Sequence, residues 1–154
     1  MGTQQILLIV LSVIIVGAAI AVGIQMFNNQ AYSANKTAIA ADAQNYATQV
    51  VQYYKTPTSQ GGAGGAIAAG AETKIGNFIG WGGTGTSNAN GSYVLGSTSN
   101  NKVIIYGLGK EVKDSNRPAV KTTITLPEGK IEAEVIDTNK TAASELSGAS
   151  WTTQ

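Results

Sequence analysis

The chain contains no cysteine and no histidine. The first absence excludes disulfides and thiolate chemistry. The second removes the commonest general base and the commonest metal ligand. Charge is also scarce: 12% of the 154 residues are charged, where a soluble domain carries about a quarter. Ten Lys and Arg stand against nine Asp and Glu, a net charge of +1, with no basic cluster of the kind that nucleic acid requires. Carboxylates, lysines and hydroxyls remain as the possible chemistry. They form no recognisable constellation, so no enzyme, catalytic residue, cofactor, metal site or dedicated nucleic-acid site is expected.

The charge that exists is displaced toward the C-terminus. The first charged side chain is Lys36, and residues 6–24 form an apolar run in which Ser12 is the one polar side chain. As a helix, such a run spans roughly 28 Å, close to the hydrocarbon thickness of a bilayer. Its thirteen Ile, Leu and Val residues favour the membrane by about 5 kcal/mol on an insertion scale. A cleaved secretory signal fits poorly, because no Lys or Arg precedes the run and the run is too long. A single-pass anchor fits the run itself equally well.

The next segment separates the alternatives. Residues 25–55 contain no Gly and no Pro. Tyr32, Ile39, Tyr46 and Tyr53 recur every seven residues with Ala43 and Val50 between them, the stripe of an amphipathic helix. The helix should end near Lys55, because Thr56 precedes Pro57 and the residue before proline avoids the α region. One helix, apolar on all sides at its start and one-sided at its end, is therefore expected over residues 1–55.

Residues 56–91 read as a long Gly-rich connecting loop anchored by Ile75, Phe78, Ile79 and Trp81. An antiparallel sheet is expected over residues 92–137. Its first two strands flank a turn at Ser99, Asn100 and Asn101. Then Val120, Thr122, Ile124 and Leu126 alternate with Lys121, Thr123 and Thr125. After a turn at Leu126, Pro127, Glu128 and Gly129, Ile131, Ala133 and Val135 alternate with Glu132 and Glu134. Residues 138–154 read as a tail, with Trp151 pinning it or meeting a neighbouring subunit. The tyrosine stripe would cover the inner face of the sheet. The expected fold class is α+β, a long N-terminal helix with its C-terminal half packed on a small antiparallel sheet.

Several motifs dissolve on inspection. Gly80-Trp81-Gly82-Gly83-Thr84-Gly85 matches the glycine pattern of dinucleotide sites, but Ser87, Asn88, Asn90 and Gly91 follow where a helix would have to begin. Glu132 and Glu134 share a strand face that reads as solvated. Asp114-Ser115-Asn116 and Asp137-Thr138-Asn139 are fragments of a calcium loop without its Gly or distal Glu, and turn chemistry accounts for them. The tyrosine spacing reads as core. Three N-glycosylation triplets begin at Asn35, Asn90 and Asn139, although in a chain rich in Asn, Ser and Thr the triplets alone carry little weight.

The apolar run followed by a one-sided helix, a loop and a sheet resembles the type IV pilins and the related pseudopilins of secretion systems. The likeness is close over the N-terminal segment and extends over the rest as a layout. The family has Glu at the fifth mature position, often a helix-breaking Pro near position twenty-two, and a C-terminal disulfide. This chain has Gln5, Val22 and no cysteine. The resemblance implies the major subunit of an extracellular filament. It would be held first in the cytoplasmic membrane and then polymerised with copies of itself by the pilus assembly machinery. Met1, Gln4, Gln5, Ile6, Ile9, Val13, Gly17 and Gly23 are the assembly residues so implied. The Gln4 and Gln5 amides would meet a neighbour's N-terminus, or else lie at the membrane interface, and Gly17 and Gly23 would let the helix stretch or bend. The lack of basic residues before the run favours removal of a basic leader by a leader peptidase. A pseudopilin and a monomeric membrane-anchored adhesin or binding module are the alternative functions.

Overall fold

The computed structural model describes residues 2–148 and Trp151. Of the residues that the resemblance implies for assembly, Met1 lies outside the described residues. Helix α1 spans Gly2–Lys55 as one α-helix of 54 residues, roughly 80 Å long. A single 3-10 turn, Thr58–Gln60, precedes α2 at Glu72–Phe78. Strands β1 (Gly85–Ser87), β2 (Gly91–Leu95), β3 (Lys102–Gly109), β4 (Arg117–Thr125) and β5 (Lys130–Thr138) follow, and a 3-10 segment, Ala143–Gly148, comes last. All strand pairs are antiparallel and neighbours in sequence are neighbours in the sheet. The architecture is α+β: the C-terminal half of α1 lies across a five-stranded sheet.

The periodicity of α1 explains which half is covered. Ile39, Ala43, Ala47, Val50 and Tyr53 are buried, spaced three or four apart on one face. Ala47 belongs to this stripe, while Tyr32 and Tyr46 are only half-buried. Against them, the sheet presents Tyr93, Val103, Ile105, Val120 and Ile124. At the lower end of this contact, Gly109 faces Asn35 and Pro118 so closely that a Cβ would overlap the Asn35 side chain. The last carbonyls of α1 are taken up by the chain folding back on itself. Ala63 N–H donates to Tyr53 O and Gly65 N–H to Tyr54 O, both at 2.9 Å, and just past the helix Gly64 N–H donates to Thr56 O at 2.9 Å.

The connecting segment is more ordered than its composition suggests. It contains α2 and the strand β1, so the sheet begins at Gly85 instead of residue 92. Gly85, Thr86 and Ser87 carry no hydrophobic alternation, and what makes them a strand is the free edge of β2. Ile67, Ala71 and Ile75 are buried, Ile79 and Trp81 half-buried, and Phe78 is exposed except where its ring meets Tyr53 at 5.2 Å. The loop is further pinned at Asn101. Its Oδ1 accepts the Ile67 N–H at 2.8 Å and its carbonyl accepts the Leu126 N–H at 2.9 Å. Glu72 accepts both the backbone N–H and the hydroxyl of Thr98, at 2.8 and 3.0 Å.

The turns follow their residue types. Asn100 and Asn101 both have positive φ, 45° and 62°, and form the two-residue turn that closes the Ser99–Lys102 bridge on the way from β2 to β3. Asp114 and Ser115, at 50° and 65°, do the same at the tip between β3 and β4. The β4–β5 pair has the expected alternation, with Val120 opposite Val135, Thr122 opposite Ala133 and Ile124 opposite Ile131. Edge strand β5 is only partly covered, so Ala133 is exposed and Ile131 and Val135 are half-buried.

The sheet also has a second apolar face. Tyr106, Leu108 and Ala119, flanked by Ile104 and Ile136, are covered by Ala143, Leu146 and Trp151. Trp151 stacks on Tyr106 with ring centroids 5.8 Å apart, and its indole N–H donates to Leu146 O at 3.1 Å. Ala143, Leu146 and Trp151 thus pack on the chain's own sheet.

Candidate assembly surface

The first half of α1 is exposed along its whole described length. Its most apolar 18-residue window has a mean hydropathy of 3.0 and none of it is buried. Ile9 is 63% and Val13 65% exposed, and Ile6, Leu11, Ile15, Ile20 and Ile24 are similarly open. Gln4 and Gln5 are exposed at its start. Each of the large side chains would gain about 1.5–3 kcal/mol by leaving water, so the segment requires an apolar surrounding. Its backbone already suits one, because every N–H and C=O within a helix is paired along the chain. The one hydroxyl in the run is satisfied in the same way, Ser12 Oγ donating to Ile9 O at 2.7 Å.

The helix passes through Gly17 and Gly23 without a break. A Cβ at either glycine would meet nothing within 4 Å, so packing inside the single chain does not call for glycine at these positions.

The second half of α1 is fixed to the sheet by polar contacts as well as by its stripe. Asp42 Oδ2 accepts hydrogen bonds from Asn88 Nδ2, Asn90 Nδ2 and the Tyr93 hydroxyl, each at 2.8 Å. Asn88 Oδ1 in turn accepts the N–H groups of Asn90 and Gly91 at 2.9 and 3.0 Å, which shapes the turn into β2. Asn35 Nδ2 donates to Asn90 O at 2.7 Å, and Lys110 Nζ donates to Asn88 O. Burial raises the Asp42 pKa, but the bonds from Asn90, Asn88 and Tyr93 outweigh it and hold the carboxyl below its ordinary value. Burial, and then the carboxylate it faces, push Tyr93 well above the usual tyrosine range.

Lower on the helix, Asp137 at the end of β5 accepts from the Tyr32 hydroxyl at 2.9 Å and from Lys36 Nζ at 3.1 Å. Both partners of the ion pair are over a third exposed, so it contributes about 0–1 kcal/mol. These contacts mark the level at which α1 leaves the head. Below them the helix stands alone.

Of the three glycosylation triplets, the fold brings Asn35 and Asn90 into one network and leaves Asn139 apart, exposed beyond β5. Strand β1, not a helix, follows the Gly80-to-Gly85 motif. Glu132 pairs with Lys130 at 2.7 Å on the exposed strand β5. Among the described residues, no group of three acidic side chains is placed to hold a metal ion.

Comparison with protein families, characterised proteins and solved structures found no match to this chain. Asp42, the organising residue of the head, reads in the sequence only as a polar position on a face of the helix away from the apolar stripe. The available signal was that it is the first acidic residue of the chain and lies on the same helix as the apolar stripe.

Proposed function

We propose that this chain is the major structural subunit of a type IV pilin-like surface filament, built by bundling the first half of α1 with the same segment of identical chains. One observation carries the reading. A single unbroken helix changes from wholly exposed and apolar to one-sided and buried, at the point where the head begins. A membrane anchor needs the first part alone. A subunit that must project its head from a helical column needs both, rigidly joined. Stalk and head share one helix, and the Asp42 and Asp137 contacts tie the second half of that helix to the sheet.

In this mechanism the subunit waits as a single-pass membrane protein with its head outside. On assembly, the residues between Ile6 and Ile24 leave lipid and pack against copies of themselves. The change is between two apolar surroundings, so it is driven by close packing and by the machinery that extracts the chain, not by the hydrophobic effect alone. The heads form the outer wall. The Gln4 and Gln5 amides offer hydrogen-bond acceptors to a neighbouring N-terminus in a segment that holds no charged side chain.

Imaging of sheared cell-surface material, with mass spectrometry of the N-terminus of the chain it contains, tests this directly. Filaments composed of this chain, with the apolar segment retained in a central column, are expected. A chain recovered only as a detergent-soluble monomer would instead favour a membrane-anchored adhesin or binding module, and short envelope-bound fibres would favour a pseudopilin.

A further inference from the structure

We infer that Asn139 is the residue through which this chain carries an N-linked sugar, and that the triplets at Asn35 and Asn90 are structural. The inference rests on the reading that the head lies outside the cell. Attachment needs two things of a triplet. The Asn amide nitrogen must be free to reach a sugar, and the Ser or Thr two residues on must be open to the transferase.

The fold separates the three triplets on these grounds. Asn35 sits in the middle of α1, half-buried, with its Nδ2 donating to Asn90 O at 2.7 Å. Its partner Thr37 is also helical and donates to Ser33 O. Presenting this triplet would mean unwinding the helix that carries the head. Asn90 is half-buried, its Nδ2 committed to Asp42 at 2.8 Å, and its partner Ser92 lies within β2, paired on both sides by Ser87 and Leu108. A sugar there would stand between the helix and the sheet.

Asn139 meets neither obstacle. It follows the last residue of edge strand β5 and is exposed, and Thr141 is exposed with it. The neighbouring Thr138 is buried, and its Oγ1 accepts the Lys140 N–H at 3.3 Å, which shapes the segment without using Asn139. Among the described residues, no hydrogen bond engages the Asn139 amide or the Thr141 hydroxyl, Thr141 contributing only its backbone N–H to Glu145 at 3.4 Å. In the transfer, the Asn139 nitrogen bonds to the anomeric carbon of a sugar held on a polyprenyl phosphate. The anomeric carbon–oxygen bond breaks with its electron pair remaining on the phosphate, and the amide proton passes to a base of the membrane-bound transferase.

The test uses the chain isolated from the cells that make it. Trypsin, cutting after Lys130 and Lys140, releases residues 131–140 with Asn139 inside. The expected result is a sugar mass on this peptide and none on peptides containing Asn35 or Asn90. A Thr141→Ala variant should lose that mass from the intact chain while keeping Asn139. An unmodified Asn139 in the native chain, or a sugar on Asn35 or Asn90, overturns the inference. Fractionation of the same cells keeps the two readings apart. A sugar on a chain found only as a membrane monomer supports this site and sinks the filament, whereas filaments of unmodified chains do the reverse.

Discussion

The Tyr93 hydroxyl on β2 donates to Asp42 on α1 at 2.8 Å, across 51 residues of sequence. With Asn88 and Asn90 donating to the same oxygen, one carboxylate holds the turn before β2 against the helix. Asp42→Ala would leave two half-buried amide donors and the hydroxyl of the buried Tyr93 without their acceptor. A loss of about 2–4 kcal/mol is expected, read by denaturant unfolding of the detergent-solubilised chain. A change under 0.5 kcal/mol would mean that the network is not formed in solution.

The same residue sets the response to acid. Asp42 and Glu72 both have depressed pKa values. Burial raises each, and hydrogen bonds outweigh it, from Asn90, Asn88 and Tyr93 for Asp42 and chiefly from Thr98 for Glu72. A depressed carboxylate stabilises the fold fully above its unfolded value of about 4. That contribution is lost as pH falls through the lower folded value. Head stability should therefore be flat with respect to these groups above about pH 5 and decline below pH 4, and Asp42→Asn should flatten part of the decline. An unfolding midpoint that does not change between pH 5 and pH 2 would contradict this.

Thr122 is fully buried on the helix side of β4, and its hydroxyl has no hydrogen-bond partner among the described residues. Valine has the same shape and keeps the β-branch. Thr122→Val should raise stability by roughly 1 kcal/mol, because it removes a desolvated hydroxyl that nothing satisfies. Calorimetry or denaturant titration would register the gain, and a loss of stability would reveal a partner for the hydroxyl.

A charge in the apolar run should prevent assembly. Val13→Asp places a carboxylate in the middle of a segment with no charged side chain, at a cost of about 2.5–3.5 kcal/mol in a membrane. Sheared filament yield should fall to background while the head, far along the helix, still folds. Gln5→Leu tests the pairing role separately: reduced yield is expected, and normal yield would leave Gln5 at the membrane interface only.

Gly17→Ala and Gly23→Ala address the helix itself. Each should strengthen the isolated helix by about 1 kcal/mol, since a Cβ there meets nothing within 4 Å. If assembly uses local stretching or a close approach of helices at these points, filament yield drops with membrane-inserted chain unchanged. That drop is the expected outcome, and filaments at normal yield from the double variant would contradict it.

Local periodicity determined much of this protein in advance. The apolar run, the stripe through Ile39, Ala43, Val50 and Tyr53, and the alternation of β4 and β5 each depend on neighbours within a few residues, so the sequence displays them directly. Only the tertiary structure made a strand of Gly85, Thr86 and Ser87, which have no pattern of their own and pair because β2 leaves an edge open. It alone placed Leu146 and Trp151 over the second face of the sheet, and gathered Asp42, Asn88, Asn90 and Tyr93 around one oxygen. It also distinguished three triplets of one sequence pattern by what surrounds them, locking Asn35 and Asn90 and leaving Asn139 open. The reason is the same in each case. A hydrogen bond or a covered face between distant segments depends on where the backbone brings them, and polar residues carry no repeat that announces their partners.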